Sequence, residues 1–484
     1  TEEYTKKFNG EFGTVSLTRN LPIADIWPIL PPEELQIVKK IERSSEMRLG
    51  DKEVIRNNKP ESESNLVGDN IKVGIQTSGD GVYVVKSTTG IAKEELHNLN
   101  QLTITPEAVD GTYTVETGLL KLDITGGDTD RWLPDWNNRL VFIPYIQGNE
   151  KAKLIKPTEL ACDYPKTWEY FTDAKILETL SKESSERKSV HIELAQELGI
   201  LDKADSESQG LTTTDYRDLS EKLEQDPDSI EDLDKHLWWY RFMYRKNIES
   251  LPKSKVLTGD LVQYNKLSFD DEGIMAPHNV SVYAILLPEE DRRAIAGILS
   301  SSLIEFYHKQ HSRVHVGKAY RYIEDHTSQW PIIRPRGEDQ SSIETIVEKI
   351  LRLKNLEIKI PQFPDPYIAD ARESGKEFAP VTYTPSSSYV ANPSLDTDLS
   401  GGYTNTLQDG GINHSAINTR KKADYLKQAI DGKSLSANDS VTVPIPFDEE
   451  VASSALDNLA NDHKIISSES IAELETSIDE KVFD

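Results

Sequence analysis

Residues 73–85 (VGIQTSGDGVYVV) constrain this chain more than any other stretch. Apolar β-formers flank a run bearing Gly74, Gly79 and Gly81, the pattern of a strand, a glycine-bearing turn and a second strand. A β-turn that demands positive φ would by itself explain Gly79 and Gly81. Residues 119–132 (LLKLDITGGDTDRW) and 139–145 (RLVFIPY) repeat the theme, so Ile71 to about Tyr145 reads as a β-rich unit of short strands. Residues 166–250 read instead as helical, with helices over Ala174 to Lys182, Ser189 to Leu198 and Asp232 to Ile248. Asn279 to Leu287 (NVSVYAILL) returns to strand. The expected fold class is α/β, in the mixed α+β sense.

The remaining segments follow from local signals. Residues 1–65 carry a short β-like stretch (Gly13 to Thr18), a helix from Pro32 to Arg43 and a polar loop from Asn57 to Asn65. Proline at the first helical position, followed by Glu33 and Glu34, suits that helix start. After Pro288-Glu289-Glu290 a helix presents Ile295, Ile298, Leu299, Leu303 and Phe306 on one face. The capping box Ser341-x-x-Glu344 starts another, with Ile346, Val347, Ile350 and Leu353 inward. Residues 384–419 are rich in Ser, Thr, Asn, Gly and Pro and read as a flexible linker. In 420–484, a helical acidic tail, Lys421 to Ile430 is a short helix capped by Gly432, and Val451 to Ile478 an amphipathic one.

A chain of 484 residues calls for two or three domains. No apolar run is long enough to span a bilayer and no charged-then-apolar leader opens the chain, so no membrane partner is expected. The single cysteine, Cys162, forms no internal disulfide, which fits a reducing cytoplasm. A net charge of −27 argues, alone, against a nucleic-acid partner. The excess is mostly scattered, as on a halophile's surface. In strong brine the Debye length falls to about 3 Å, and a DNA reader there depends on shape, hydrogen bonds and stacking.

Catalytic chemistry is hard to place. An adenine methyltransferase needs a glycine-bearing strand-turn for S-adenosylmethionine and an Asn/Asp-Pro-Pro-Tyr/Phe loop for the flipped base. Phe363-Pro364-Asp365-Pro366-Tyr367 has the wrong order and reads as a turn. No carboxylate pair with a spaced lysine offers a Mg²⁺ nuclease site. No catalytic residue and no cofactor is therefore expected within this chain. His308, His311 and His315 lack a thiol or carboxylate to complete a zinc set, and no metal is expected.

Residues 308–323 (HKQHSRVHVGKAYRYI) contain Lys309, Arg313, Lys318 and Arg321 and no acid. Together with Tyr320 they are able to hold phosphates and set planar groups against bases; the alternative is an ordinary solvated loop. Gln76 and Thr77 are able to bond base edges. Arg131 beside the Gly126-Gly127 turn, Arg241 and Arg245 at i, i+4 on the expected helix, and Lys253 with Lys255 complete the candidates.

These segments, with Tyr164-Pro165, the aromatic run Trp238-Trp239-Tyr240-Arg241, residues 296–303 (AGILSSSL) and Trp330-Pro331-Ile332-Ile333, stand in an order and spacing of their own. They resemble the C-terminal specificity region of TaqI-like, type IIG-like adenine-N6 DNA methyltransferases and restriction-modification enzymes. The resemblance spans roughly residues 20–335 and omits the family's catalytic half. It implies a connector over 1–65 and a target-recognition domain over 66–340. That domain would have a β-rich half (66–165), a helical segment (166–250) and a strand-helix half (251–340), followed by a helix and extension (341–383). It further implies double-stranded DNA as partner, and a methyltransferase module in cis or in trans that carries S-adenosylmethionine. The expected options are a fragment of a longer polypeptide, which Thr1 in place of methionine fits, a separately encoded specificity subunit, or a degenerate gene product. The rival expectation is a non-enzymatic acidic interaction protein or DNA mimic of a phage-defence system.

Overall fold

A computed structural model of the chain describes residues 31–45, 47–51, 70–88, 91, 96, 98–146, 151–202, 210–312, 314–397 and 402–483. The stretches Gly13–Thr18 and Asn57–Asn65 lie outside these. Two compact units form, Thr1–Val347 with Ile478–Asp484, and Glu348–Ser477. Both mix helices and strands, as the sequence patterns predict. No helix among the described residues is long and apolar enough to cross a membrane.

In the first unit a six-stranded sheet runs in the order Met275–Pro277, Leu120–Ile124, Arg139–Phe142, Val84–Ser87, Gln101–Pro106, Tyr113–Glu116. Period-2 alternation sets its faces: Leu102, Ile104 and Pro106 are buried while Gln101 and Thr103 are exposed. A four-stranded antiparallel sheet has the order Leu267–Asp270, Lys255–Gly259, Val282–Ile285, Ile71–Val73. The two strands that flank the Gly74–Gly79 turn therefore do not pair with each other. They belong to different sheets, and the turn is a crossing between them. The chain crosses back through His278–Ser281, from Met275–Pro277 in one sheet to Val282–Ile285 in the other.

The two crossings are bonded side by side. Gly74 N donates to Val282 O (3.0 Å), Ile75 N to Pro277 O (2.9 Å) and Asn279 N to Ile75 O (2.8 Å). A Cβ on Gly74 would stand 2.3 Å from the Asn279 carbonyl, so glycine is required here by close approach. The positive φ of this turn falls on Ser78 (52°), while Gly79 is extended at φ −177° and Gly81 is helical.

Helices Pro165–Thr172, Ala174–Lys182, Ser185–Glu197 and Thr213–Gln225 supply Tyr170, Phe171, Ile176, Leu180, Leu194 and Leu219 to the core beneath the larger sheet. The expected helix Asp232–Ile248 does not form. A one-turn helix Pro227–Glu231 and a 3₁₀ turn Lys235–Leu237 give way to irregular chain. Three successive rings explain this, because all are buried and each bonds in a different direction. Trp238 Nε1 donates to Ile230 O, Trp239 Nε1 to Phe171 O and Tyr240 OH to Ile155 O, at 3.1, 2.8 and 2.7 Å. A helix would turn one of the three to solvent.

Other boundaries also move. The helix expected to start at Ser341 begins at Glu338, because Gly337 at φ +58° makes the turn and Ser341 Oγ bonds back to its carbonyl. Residues 384–419 are not a bare linker. They carry strands Tyr389–Val390, Ser394–Thr397, Tyr403–Leu407 and Gly410–Ile412, and bury Ala391, Leu407, Ile412 and Ile417 in the second unit's core. A small hydrophobic allotment suffices when it is spaced for one face of a strand. Within 420–484, Val441–Pro446 is a strand paired with Phe378–Tyr383, Pro444 opposite Pro380. This ribbon has only two strands, so prolines without N–H groups are tolerated in it.

Candidate nucleic-acid interface

The strands around the second crossing build a rim from three loops. Asp260 N donates to Ser281 O (2.8 Å), which sets Leu261 beside the crossing turn His278–Ser281. Strand Leu261–Val262 pairs with Tyr320–Arg321, Val314 bridges to Tyr320, and Gln263 Nε2 reaches Gly317 O (3.1 Å). Thus the segment 314–322, the loop 260–266 and the turn 278–281 are continuous. The Gly126–Thr129 turn closes the group from below: Gly259 faces the Thr129 hydroxyl, and Gly126 faces Ser281 O closely enough that a Cβ would sit 2.8 Å away.

Exposure is concentrated on this rim. Leu261, Tyr264, Val280 and Val314 are four of the eleven exposed large apolar side chains among the described residues. Sequence reasoning missed them all; Val280 reads there as an ordinary position of the Asn279–Leu287 strand. Lys318 is exposed at φ +64°, with Tyr320 half-buried beside it. Lys309 and Arg321 are less free than the sequence suggests. Lys309 pairs with Glu305 and lies 5.8 Å over the Tyr320 ring, while Arg321 Nε donates to Asp260 at 2.7 Å. Arg313 lies outside the described residues. Arg131 approaches from beneath, donating to the Ser300 carbonyl and lying 5.8 Å over the Trp132 ring.

The three histidines do not converge. His308 is buried, its Nδ1 accepting from Trp330 Nε1 (2.9 Å), and burial followed by the nearby His326 charge pulls it down to about 3. His311 Nδ1 meets the Tyr307 carbonyl, and His315 is exposed. No group of three or more metal-binding side chains is gathered among the described residues.

The other candidates lie at the first crossing or beyond it. Gln76 is half-buried and bridges to Tyr244, whose ring is exposed. Thr77 is buried, and its hydroxyl is spent on Asp80 (2.5 Å) while accepting from Gly79 N, so it cannot reach a base. Arg241 Nε donates to His236 O; Arg245 pairs with Glu249 and donates to Ala152 O. With no helix there, the two arginines do not share a helix face. Lys253 is exposed, whereas Lys255 is fully buried against Asp270 (2.5 Å) and is unavailable to phosphate.

Two features that the sequence concealed hold the crossings. Arg187, fully buried on helix Ser185–Glu197, donates to the carbonyls of Ser78 (2.6 Å), Thr77 (2.7 Å) and Trp239 (2.9 Å). His278 stands between Asp123 (3.1 Å) and Asp80 (3.5 Å), and Asp123 is held in turn by Arg139 (3.0 Å). Burial opposes a charge on His278, yet the hydrogen bonds and charges of Asp123 and Asp80 raise it to about 10. Burial likewise opposes ionisation of Asp80, but His278 and Thr77 outweigh it and hold the carboxyl below its usual range.

Backbone of Pro277–Asn279 fills the space at Gly74, and Leu180 with the Tyr83 ring fills it at Gly79.

No protein-family model matches this chain, and no curated protein matches it. Among solved structures it is similar to the type IIL restriction-modification enzyme MmeI, in a complex with DNA, at a TM-score of 0.29 and 14% identity. That similarity covers 62% of this chain and 30% of the enzyme's.

Proposed function

We propose that this chain is the sequence-reading part of a restriction-modification or defence-associated DNA methyltransferase. It clamps duplex DNA and presents adenine to a catalytic module that brings S-adenosylmethionine. The observation that carries this reading is the rim. On a molecule of net charge −27, one set of hydrogen-bonded loops gathers exposed apolar side chains with an acid-free basic segment. Base readers need apolar and planar groups at the base edges and cations at the phosphates, in one place. The order of motifs along the chain, which resembles that of TaqI-like specificity regions, supports the same reading.

The test is selection from random duplexes in high-potassium buffer, with and without a methyltransferase partner. A short enriched motif is expected, with binding weakened severalfold by Lys318→Glu and by Tyr320→Ala. Absence of enrichment in both conditions with a folded protein would discard DNA reading and favour an acidic interaction protein.

A further inference from the structure

The rim contains one side chain whose position is fixed far more tightly than an exposed residue needs. Val280 tips the crossing turn, 51% exposed. Its own N–H is taken by Asn279 Oδ1 (2.9 Å), with Asn279 in the left-handed region at φ +50°. Around it, His278 N donates to Ile124 O (2.8 Å), Ser281 Oγ to His278 O (2.7 Å) and Asn279 N to Ile75 O (2.8 Å). The His278 ring is clasped by Asp123 and Asp80, and the Ser281 carbonyl accepts from Asp260. The turn is thus tied to both sheets and to the neighbouring loop.

Turns favour Gly, Asn, Asp and Ser, which hydrate well or adopt unusual φ. Here the apex is a β-branched apolar residue with little rotamer freedom. Such a side chain is short, stiff and without a polar atom, and it pays little entropy on contact. It does not reach far enough to part stacked bases as longer wedges do. It suits a methyl group on a base edge, and in duplex DNA that group is the thymine C5-methyl of the major groove. Arg321, on the strand paired with Leu261–Val262, and the exposed Lys318, in the turn before that strand, supply cations beside it, although Arg321 is also bonded to Asp260.

We infer that Val280 is a specificity-determining residue, a preformed apolar contact that reads one thymine methyl in the major groove. This rests on the DNA-reading function proposed above. The measurement uses the full chain and the duplex motif selected from random sequence, with uracil replacing each thymine in turn. Uracil pairs identically but lacks the methyl. At one position the native chain should bind about fourfold more weakly to uracil, the worth of one buried methyl group. Val280→Ala should bind thymine and uracil alike there, and Val314→Ala, elsewhere on the rim, should keep the difference. If a motif is selected but no thymine-to-uracil change matters, or Val280→Ala still discriminates, the inference is overturned and DNA reading stands. If no duplex is selected under any condition, both fall together.

Discussion

At the scale of single residues, the junction depends on charges placed where they are shielded. His278 has a folded pKa near 10 against an ordinary 6.5, so it binds a proton more tightly folded than unfolded. Its contribution to stability is complete below about pH 6.5 and is lost as pH rises through 10. Thermal unfolding measured from pH 6 to 10 should show stability falling over this window, and His278→Gln should flatten that part of the profile. An unchanged slope in the variant would mean that His278 is not the proton carrier. Neither His278 nor Arg187 was legible as a structural cation. SERKSVHIELAQE places Arg187 among polar neighbours, where an arginine reads as surface, and only the partners (carbonyls from residues 77, 78 and 239) reveal its use. The burial of Thr77 was hidden for the same reason, since its value lies in closing on Asp80.

At the scale of elements, legibility followed the strength of local signals. The helices Pro32–Ser44 and Ala174–Lys182 carry their own starts, proline at N1 in one and the Asp173 cap in the other, and the sequence boundaries match to within a residue. The short strands of the larger sheet were readable from alternation. What could not be read is which sheet each strand joins, because pairing partners lie far apart along the chain. The glycine turn is the sharpest case: its composition suggests a hairpin, and its packing makes it one of two crossings. Gly74→Ala should therefore act through steric conflict with the backbone at Pro277–Asn279. A cost of about 1–3 kcal/mol, typical of overpacking, is expected in denaturant titration. An alanine at Gly127, where a Cβ would meet only the Thr125 hydroxyl at 3.7 Å, provides the comparison. Equal losses at both glycines would remove close approach as the explanation.

At the scale of the whole molecule, electrostatics sets how DNA could be held. Residues 308–323 offer four cations, and two of them are already engaged with Glu305 and Asp260. Each phosphate neutralised contributes about −0.9 to the slope of log affinity against log salt. The slope for a selected duplex should then be no steeper than about −4. A much steeper one would point to a different, more basic face. The exposed apolar rim itself was invisible in the sequence. Leu261, Tyr264, Val280 and Val314 come from three loops, and nothing local marks them as neighbours.

The parallel pairing of Met275–Pro277 with Leu120–Ile124 joins segments about 150 residues apart, and it immediately precedes the turn that carries Val280. Contacts of such separation are slow to form, since the entropy of closing the intervening loop is lost before any reward arrives. During synthesis the early half can therefore complete its own antiparallel pairs while the rim does not yet exist. The rim becomes complete only once this late segment docks, so a chain interrupted before residue 275 would keep the antiparallel strands of the larger sheet but lack the loops that carry Val280 and Val314.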